Sequence, residues 1–244
     1  MVARVRAWEE DWMNIVFRIG VASVFAAILS APLAAACVDN VVLVHGNAGK
    51  PGDFDNTYNE LLARGYSAGQ IWRPSWGSKV CAACNDHYGS EETPVANALT
   101  QARAASCTGR IDVLGHSMGA TLAAREIGKL GLAGSVHTFV GIAGAFRGLW
   151  TCGSYPFQVW TSTCGAWGLS VNSPFTNGLQ GQVFAQRSYS IKSWSDQIVC
   201  ATGVCTVGGV HSSTVPNEAG SRTFGFGHFG LLTGTPITQV DLIQ

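Results

Sequence analysis

Charge is scarce in this chain. Only 12% of its 244 residues are Asp, Glu, Lys or Arg, about half the ~25% usual for a soluble domain. The 15 basic and 15 acidic side chains cancel. There is therefore no large field of one sign, and nucleic acid is not an expected partner. Beyond residue 36 no apolar run is long enough to span a bilayer. No internal repeat or linker divides the chain. What is plentiful is apolar surface, at 47%, and glycine, with 30 residues. That apolar content with no net charge excludes disorder, because it can bury a core. The length fits one domain, or one domain with a subdomain.

The first 36 residues read as an export signal. Residues 20–36 form an alanine-rich apolar run that ends Leu33-Ala34-Ala35-Ala36, small residues of the kind signal peptidase accepts. The segment before it carries Glu9, Glu10 and Asp11 beside Arg4 and Arg6. A start at Met13 gives a more conventional leader. A membrane anchor, or a lipid on Cys37, are the competing readings. The remainder, 37–244, is expected to be the functional domain, exported or periplasmic, with no stable membrane span after cleavage. All eight cysteines lie in it: Cys37, Cys81, Cys84, Cys107, Cys152, Cys164, Cys200 and Cys205. An even count in an exported chain implies disulfides.

Strand and helix signals alternate. Val41-Val42-Leu43-Val44 reads as a buried strand that ends in His45-Gly46. Further strands are expected at 70–73, 111–114, 136–142 and 188–194. Helices are expected after Asp53 or Asp55, from Thr93 with Pro94 in its first turn, after Ser117 to about Leu130, and over 236–243. This rhythm predicts an α/β fold with a mostly parallel sheet of five to six strands and helices on both faces. Residues 146–186 break it. They are rich in Gly, Ser, Thr and aromatics, including Trp150, Tyr155, Phe157, Trp160, Trp167 and Phe175. A loop of that length is uncommon without a function. The segment is expected to be a substrate-side insertion, with ordinary core as the alternative.

Gly115-His116-Ser117-Met118-Gly119 carries the strongest chemical signal. It lies between a buried strand and a helix, the setting a nucleophile elbow requires. The glycines let strand and helix approach, and Ser117 would stand at the helix N-terminus, where developing negative charge is favoured. A serine nucleophile needs a base, and the base an orienting acid. In such folds the order is Ser, acid, His. Asp196 follows a strand end, unlike Glu126, Glu218 and Asp241. Among the histidines, His228 in Gly227-His228-Phe229-Gly230-Leu231-Leu232 is preferred as base over His211 and His137. His87 and His116 are expected to be solvated or supporting residues. Two N–H donors must receive the oxyanion. Met118 N–H is one and Asn47 N–H, in His45-Gly46-Asn47-Ala48-Gly49, the other. His45 is expected to brace its turn. Cys81-Ala-Ala-Cys84 with His87 lacks a fourth zinc ligand and reads as a disulfide, so no metal or cofactor is expected.

Four motifs in order, 42–49, 115–119, Trp-Ser-Asp-Gln-Ile-Val at 194–199 and 227–232, resemble the class 2 triacylglycerol lipases, small secreted α/β-hydrolases of bacteria to which some polyhydroxyalkanoate depolymerases are related. The resemblance implies an α/β-hydrolase fold and a lipase or carboxylesterase. Ser117, Asp196 and His228 would be its triad, and Asn47 and Met118 its oxyanion donors. Lipids, small esters or polyesters are the implied substrates. Polyester depolymerisation is the alternative. A non-catalytic module that binds a hydrophobic ligand is the rival of another class, and a complete triad argues against it. In this fold the strands at Val41 and Ile111 are parallel neighbours. Cys37 and Cys107 each precede their strand by four residues and are expected to pair. That leaves Cys81–Cys84, Cys152–Cys164 and Cys200–Cys205 as local pairs.

Overall fold

A computed structural model describes residues 37–157 and 159–244. The expected signal segment, 1–36, lies outside the described residues. The strands are β1 (Asn40–Val44), β2 (Ile71–Trp72), β3 (Ile111–His116), β4 (Val136–Ile142), β5 (Leu149–Ser154), β6 (Ser170–Val171), β7 (Arg187–Lys192), β8 (Thr206–Val207), β9 (Val210–His211) and β10 (Gly220–Thr223). The α-helices are α1 (Asp55–Ala63), α2 (Glu92–Ala105), α3 (Met118–Lys129), α4 (Pro174–Leu179), α5 (His228–Thr233) and α6 (Pro236–Asp241).

Six strands form one sheet in the order β10-β7-β4-β3-β1-β2, and every neighbouring pair is parallel. The β1 residues are buried on both faces, as a parallel sheet between helical layers demands. Side chains alternate along a strand. Val42 and Val44 join a core with Leu99 of α2 and Leu122 and Ile127 of α3. Val41 and Leu43 join the opposite core with Leu61 of α1, Leu231 of α5 and Val240 of α6. Among the described residues, no helix is long and apolar enough to cross a membrane.

Helix α2 and sheet strand β10 depart from the sequence reading. Helix α2 begins at Glu92, after a 3-10 turn over Gly89–Glu91. Pro94 then occupies its third position, where the missing N–H still has no intrahelical partner. Strand β10 was not expected, because Gly-Ser-Arg-Thr carries no apolar pattern. It is an edge strand, parallel to β7.

The segment 146–186 is structured rather than an open loop. It holds the parallel pair β5–β6, helix α4 and the Cys152–Cys164 disulfide. Its aromatics divide. Phe146, Phe175 and Phe184 are core, whereas Phe157 and Trp160 are more than 80% exposed. The other disulfides are Cys81–Cys84, Cys200–Cys205 and Cys37–Cys107. The last has its Cα atoms 5.8 Å apart. The β1–β3 register pairs Asn40 with Ile111, so the two cysteines precede paired residues by three and four positions, not by equal offsets.

Candidate active site

The turn from β3 into α3 sets the site. Its two glycines admit no side chain. A Cβ on Gly115 would lie 2.4 Å from the Ala120 Cα, and one on Gly119 only 2.0 Å from the His45 carbonyl oxygen. Between them Ser117 takes φ +54° and ψ −131°, a strained conformation for a residue with a side chain. Ser117 N–H donates to the Ile142 carbonyl at 2.8 Å. That bond fastens the elbow to the end of β4.

Two loops bring the acid and the histidine to the same sheet edge. Asp196 follows β7 and is fully buried. Its Oδ1 accepts from the Ile198 and Val199 N–H groups, each at 2.9 Å. His228 opens α5, and its Nδ1 lies 2.8 Å from Asp196 Oδ2. Burial pushes the Asp196 carboxyl up, but the bond to His228 and the Val199 and Ile198 N–H groups outweigh it and hold the pKa below its ordinary value. Ser117 and His228 face one cleft of about 770 Å³. Among the described residues, no hydrogen bond joins the Ser117 hydroxyl to His228, as is common before substrate tightens such contacts.

Gly46, Asn47, Ala48 and Gly49 line the same cleft, as do Ile198, Phe229 and Leu232. Met118 is the first residue of α3. Its N–H therefore has no intrahelical acceptor. Among the described residues, none that lines the cleft comes from 146–186.

The remaining histidines and acids have other work. His45 is buried, and burial pulls its pKa to about 4 against the raising bond to Gly46. Its neutral ring accepts the Trp76 N–H at Nε2 and donates from Nδ1 to the Gly46 carbonyl at 2.8 Å. His211 accepts the Ser213 N–H at Nδ1, which leaves Nε2–H to donate to the Ser193 carbonyl at 3.1 Å. It thus steadies the loop that carries Asp196. His137 sits at the far end of the sheet beside Asp39. Glu126, Glu218 and Asp241 pair with Lys129, Lys192 and Arg64 respectively.

Solvation of His87 and His116 is overturned, since both are buried. His87 contacts Thr121 Oγ1 at 2.7 Å and stacks on Phe175. His116 reaches the His228 carbonyl. Gln197, which the sequence did not mark, accepts the His228 N–H at 2.8 Å. No local pattern signals that contact.

Residues 39–230 match the family Lipase (class 2). The chain belongs to the class 2 lipase family, and so to a family of ester hydrolases. No curated protein sequence matches it. Solved structures share the fold. Aspergillus fumigatus lipase B is 20% identical with a TM-score of 0.55, over 80% of this chain and 49% of that one. Bacillus licheniformis lipase BlEst2 in its propeptide form is 11% identical with a TM-score of 0.61, over 86% and 51%. Its mature form is 12% identical with a TM-score of 0.59, over 85% and 93%. The chain spans about half the length of the first two. These likenesses establish the α/β-hydrolase fold of the class 2 lipase member.

Proposed function

We propose that this chain is an exported carboxylic-ester hydrolase that works through an acyl-enzyme on Ser117. The observation that carries the reading is the His228–Asp196 hydrogen bond at the edge of the cleft that the strained Ser117 also faces. Asp196 accepts the hydrogen bond of His228 Nδ1–H and holds that tautomer, so the lone pair of Nε2 is left to receive the serine proton. Ser117 Oγ attacks the ester carbonyl. His228 passes the proton to the leaving alcohol, and water repeats the sequence on the acyl-enzyme. The N–H groups of Asn47 and Met118 receive the oxyanion, with the positive end of α3 behind Met118. No step needs a cofactor.

Ile198, Phe229 and Leu232 offer an apolar wall for an acyl chain. Four disulfides fit an oxidising compartment, which supports export. Lipids and small esters are the substrate class, with polyesters as the second candidate.

The test is hydrolysis of p-nitrophenyl esters of increasing chain length, beside tributyrin and a polyester film, with Ser117→Ala as control. Turnover of the esters that Ser117→Ala abolishes supports the reading. Turnover equal to the control would favour a non-catalytic binder.

A further inference from the structure

The segment after β2 grips the oxyanion loop at both ends. At the first end, Trp76 Nε1–H donates to the His45 carbonyl at 2.8 Å, and Trp76 N–H donates to the His45 ring. At the second end the side chain of Asn47 is held by a pair of contacts. Its Nδ2 donates to the Ala82 carbonyl at 3.0 Å, and its Oδ1 accepts from Asn85 Nδ2 at 2.6 Å.

The orientation of both amides follows from their neighbours. Ser78 N–H donates to Asn85 Oδ1 at 2.7 Å, so that atom must be the oxygen. Asn85 Nδ2 then donates to Asn47 Oδ1 and to the Ser78 carbonyl at 3.0 Å. Ala82 presents a carbonyl, so Asn47 must turn its own Nδ2 that way. Every polar atom of the Asn85 amide is therefore committed, and the residue is wholly buried. The turn that carries Ala82 and leads to Asn85 is closed by Cys81–Cys84. Thr163 Oγ1 lies 2.7 Å from the Ala82 carbonyl and 2.6 Å from that of Asn85. The segment 146–186 is thereby tied to the same turn.

We infer that Asn85 is a positioning residue for the oxyanion hole: it fixes the Asn47 side chain and through it the direction of the Asn47 N–H. The inference rests on the proposed role of that N–H. Asn85 does not line the cleft, so it acts without touching substrate. A donor aimed at the developing oxyanion contributes mainly in the transition state. Loss of the grip therefore lowers kcat and leaves KM nearly unchanged.

The test compares Asn85→Ser, Asn47→Ala and the double variant, each checked for folding by near-ultraviolet circular dichroism. The readouts are kcat and KM for p-nitrophenyl butyrate and inhibition by butylboronic acid, whose tetrahedral adduct mimics the oxyanion. Each single variant is expected to lose about tenfold in kcat and in boronate affinity, with KM within about twofold, a smaller loss than removal of a donor outright. The double variant is expected to lose no more than either single one, because both break the same link. A folded Asn85→Ser with native kcat and boronate affinity would overturn the inference, as would losses that multiply in the double variant. Should Asn85→Ser fail to fold, Asn47→Ala decides alone: its N–H remains, and unchanged kcat and boronate affinity overturn the inference. A native protein with neither turnover nor boronate binding would instead overturn the hydrolase reading beneath it.

Discussion

His116 donates its Nε2–H to the backbone carbonyl of His228 at 3.2 Å, and the two rings lie 4.8 Å apart. The residue before the proposed nucleophile thus holds the main chain of the proposed base. Burial, with the nearby His228 ring, pulls the His116 pKa to about 3, so the ring stays neutral through any ordinary assay. A second bond, from His228 N–H to Gln197 Oε1, fixes the preceding peptide, so the residue is held on both sides.

His116→Phe should therefore leave the protein folded but let His228 drift. The expected loss in kcat is about tenfold, ~1.4 kcal/mol of barrier, and Gln197→Ala should lose a comparable amount. Steady-state kinetics on a p-nitrophenyl ester check this. Native kcat in both folded variants would show that His228 needs neither anchor.

Gly119→Ala tests the elbow. A methyl there meets the His45 carbonyl at 2.0 Å, and this neighbour is backbone. Overpacking of such a contact costs about 1–3 kcal/mol or more. A clear fall in melting temperature, or failure to fold, is expected. An unchanged melting temperature would mean that α3 does not pack on the end of β1 as described.

At the opposite end of the sheet Asp112 is buried. Burial, with Asp39 adding to it, pushes its pKa up to about 8. His137, Arg187 and Arg110 also face this acidic pair. A raised folded-state pKa means that the native protein holds a proton the unfolded chain has lost. The stability so gained is complete below the unfolded value of ~3.9 and is lost as pH rises through about 8. Asp112→Asn keeps an acceptor for the Thr138 N–H and removes the titration. Its melting temperature relative to the native protein should rise from pH 5 to about pH 8 and level off above it. A difference independent of pH would contradict the account.

Cys37–Cys107 closes a loop with a sequence separation of 70 beneath the sheet. In the chain-entropy picture it stabilises by about 4 kcal/mol. The double variant Cys37→Ser/Cys107→Ser should melt on the order of 10 °C lower, with ester kinetics at 25 °C unchanged. Thermal unfolding measured beside activity checks both halves. An unchanged melting temperature would deny the cross-link a structural role.

The elements that sequence made legible are those whose local pattern is compulsory. The apolar runs at β1, β3 and β4 admit only buried strands. The elbow was readable because Gly115 and Gly119 have no room for a side chain. Strand β10 was illegible, because an edge strand of Gly, Ser, Arg and Thr pairs through its backbone alone. The supports of the site were illegible for another reason. His116–His228, Gln197–His228 and Asn47–Asn85 join residues 112, 31 and 38 positions apart. A lone Asn or Gln carries no spacing that names its partner. For the segment 146–186 the two readings stayed open, because composition does not tell core Phe146 from exposed Trp160.

In the proposed mechanism Ser117 is the nucleophile and His228 its activator. The most direct measurement is intact-mass spectrometry after treatment with a fluorophosphonate, followed by peptide mapping. One adduct is expected, on Ser117, with activity lost in step with labelling. In folded His228→Ala the labelling rate should fall by several orders of magnitude, because the two residues act as a unit. An adduct on another residue, full activity after complete labelling, or native labelling rates in folded His228→Ala would contradict it.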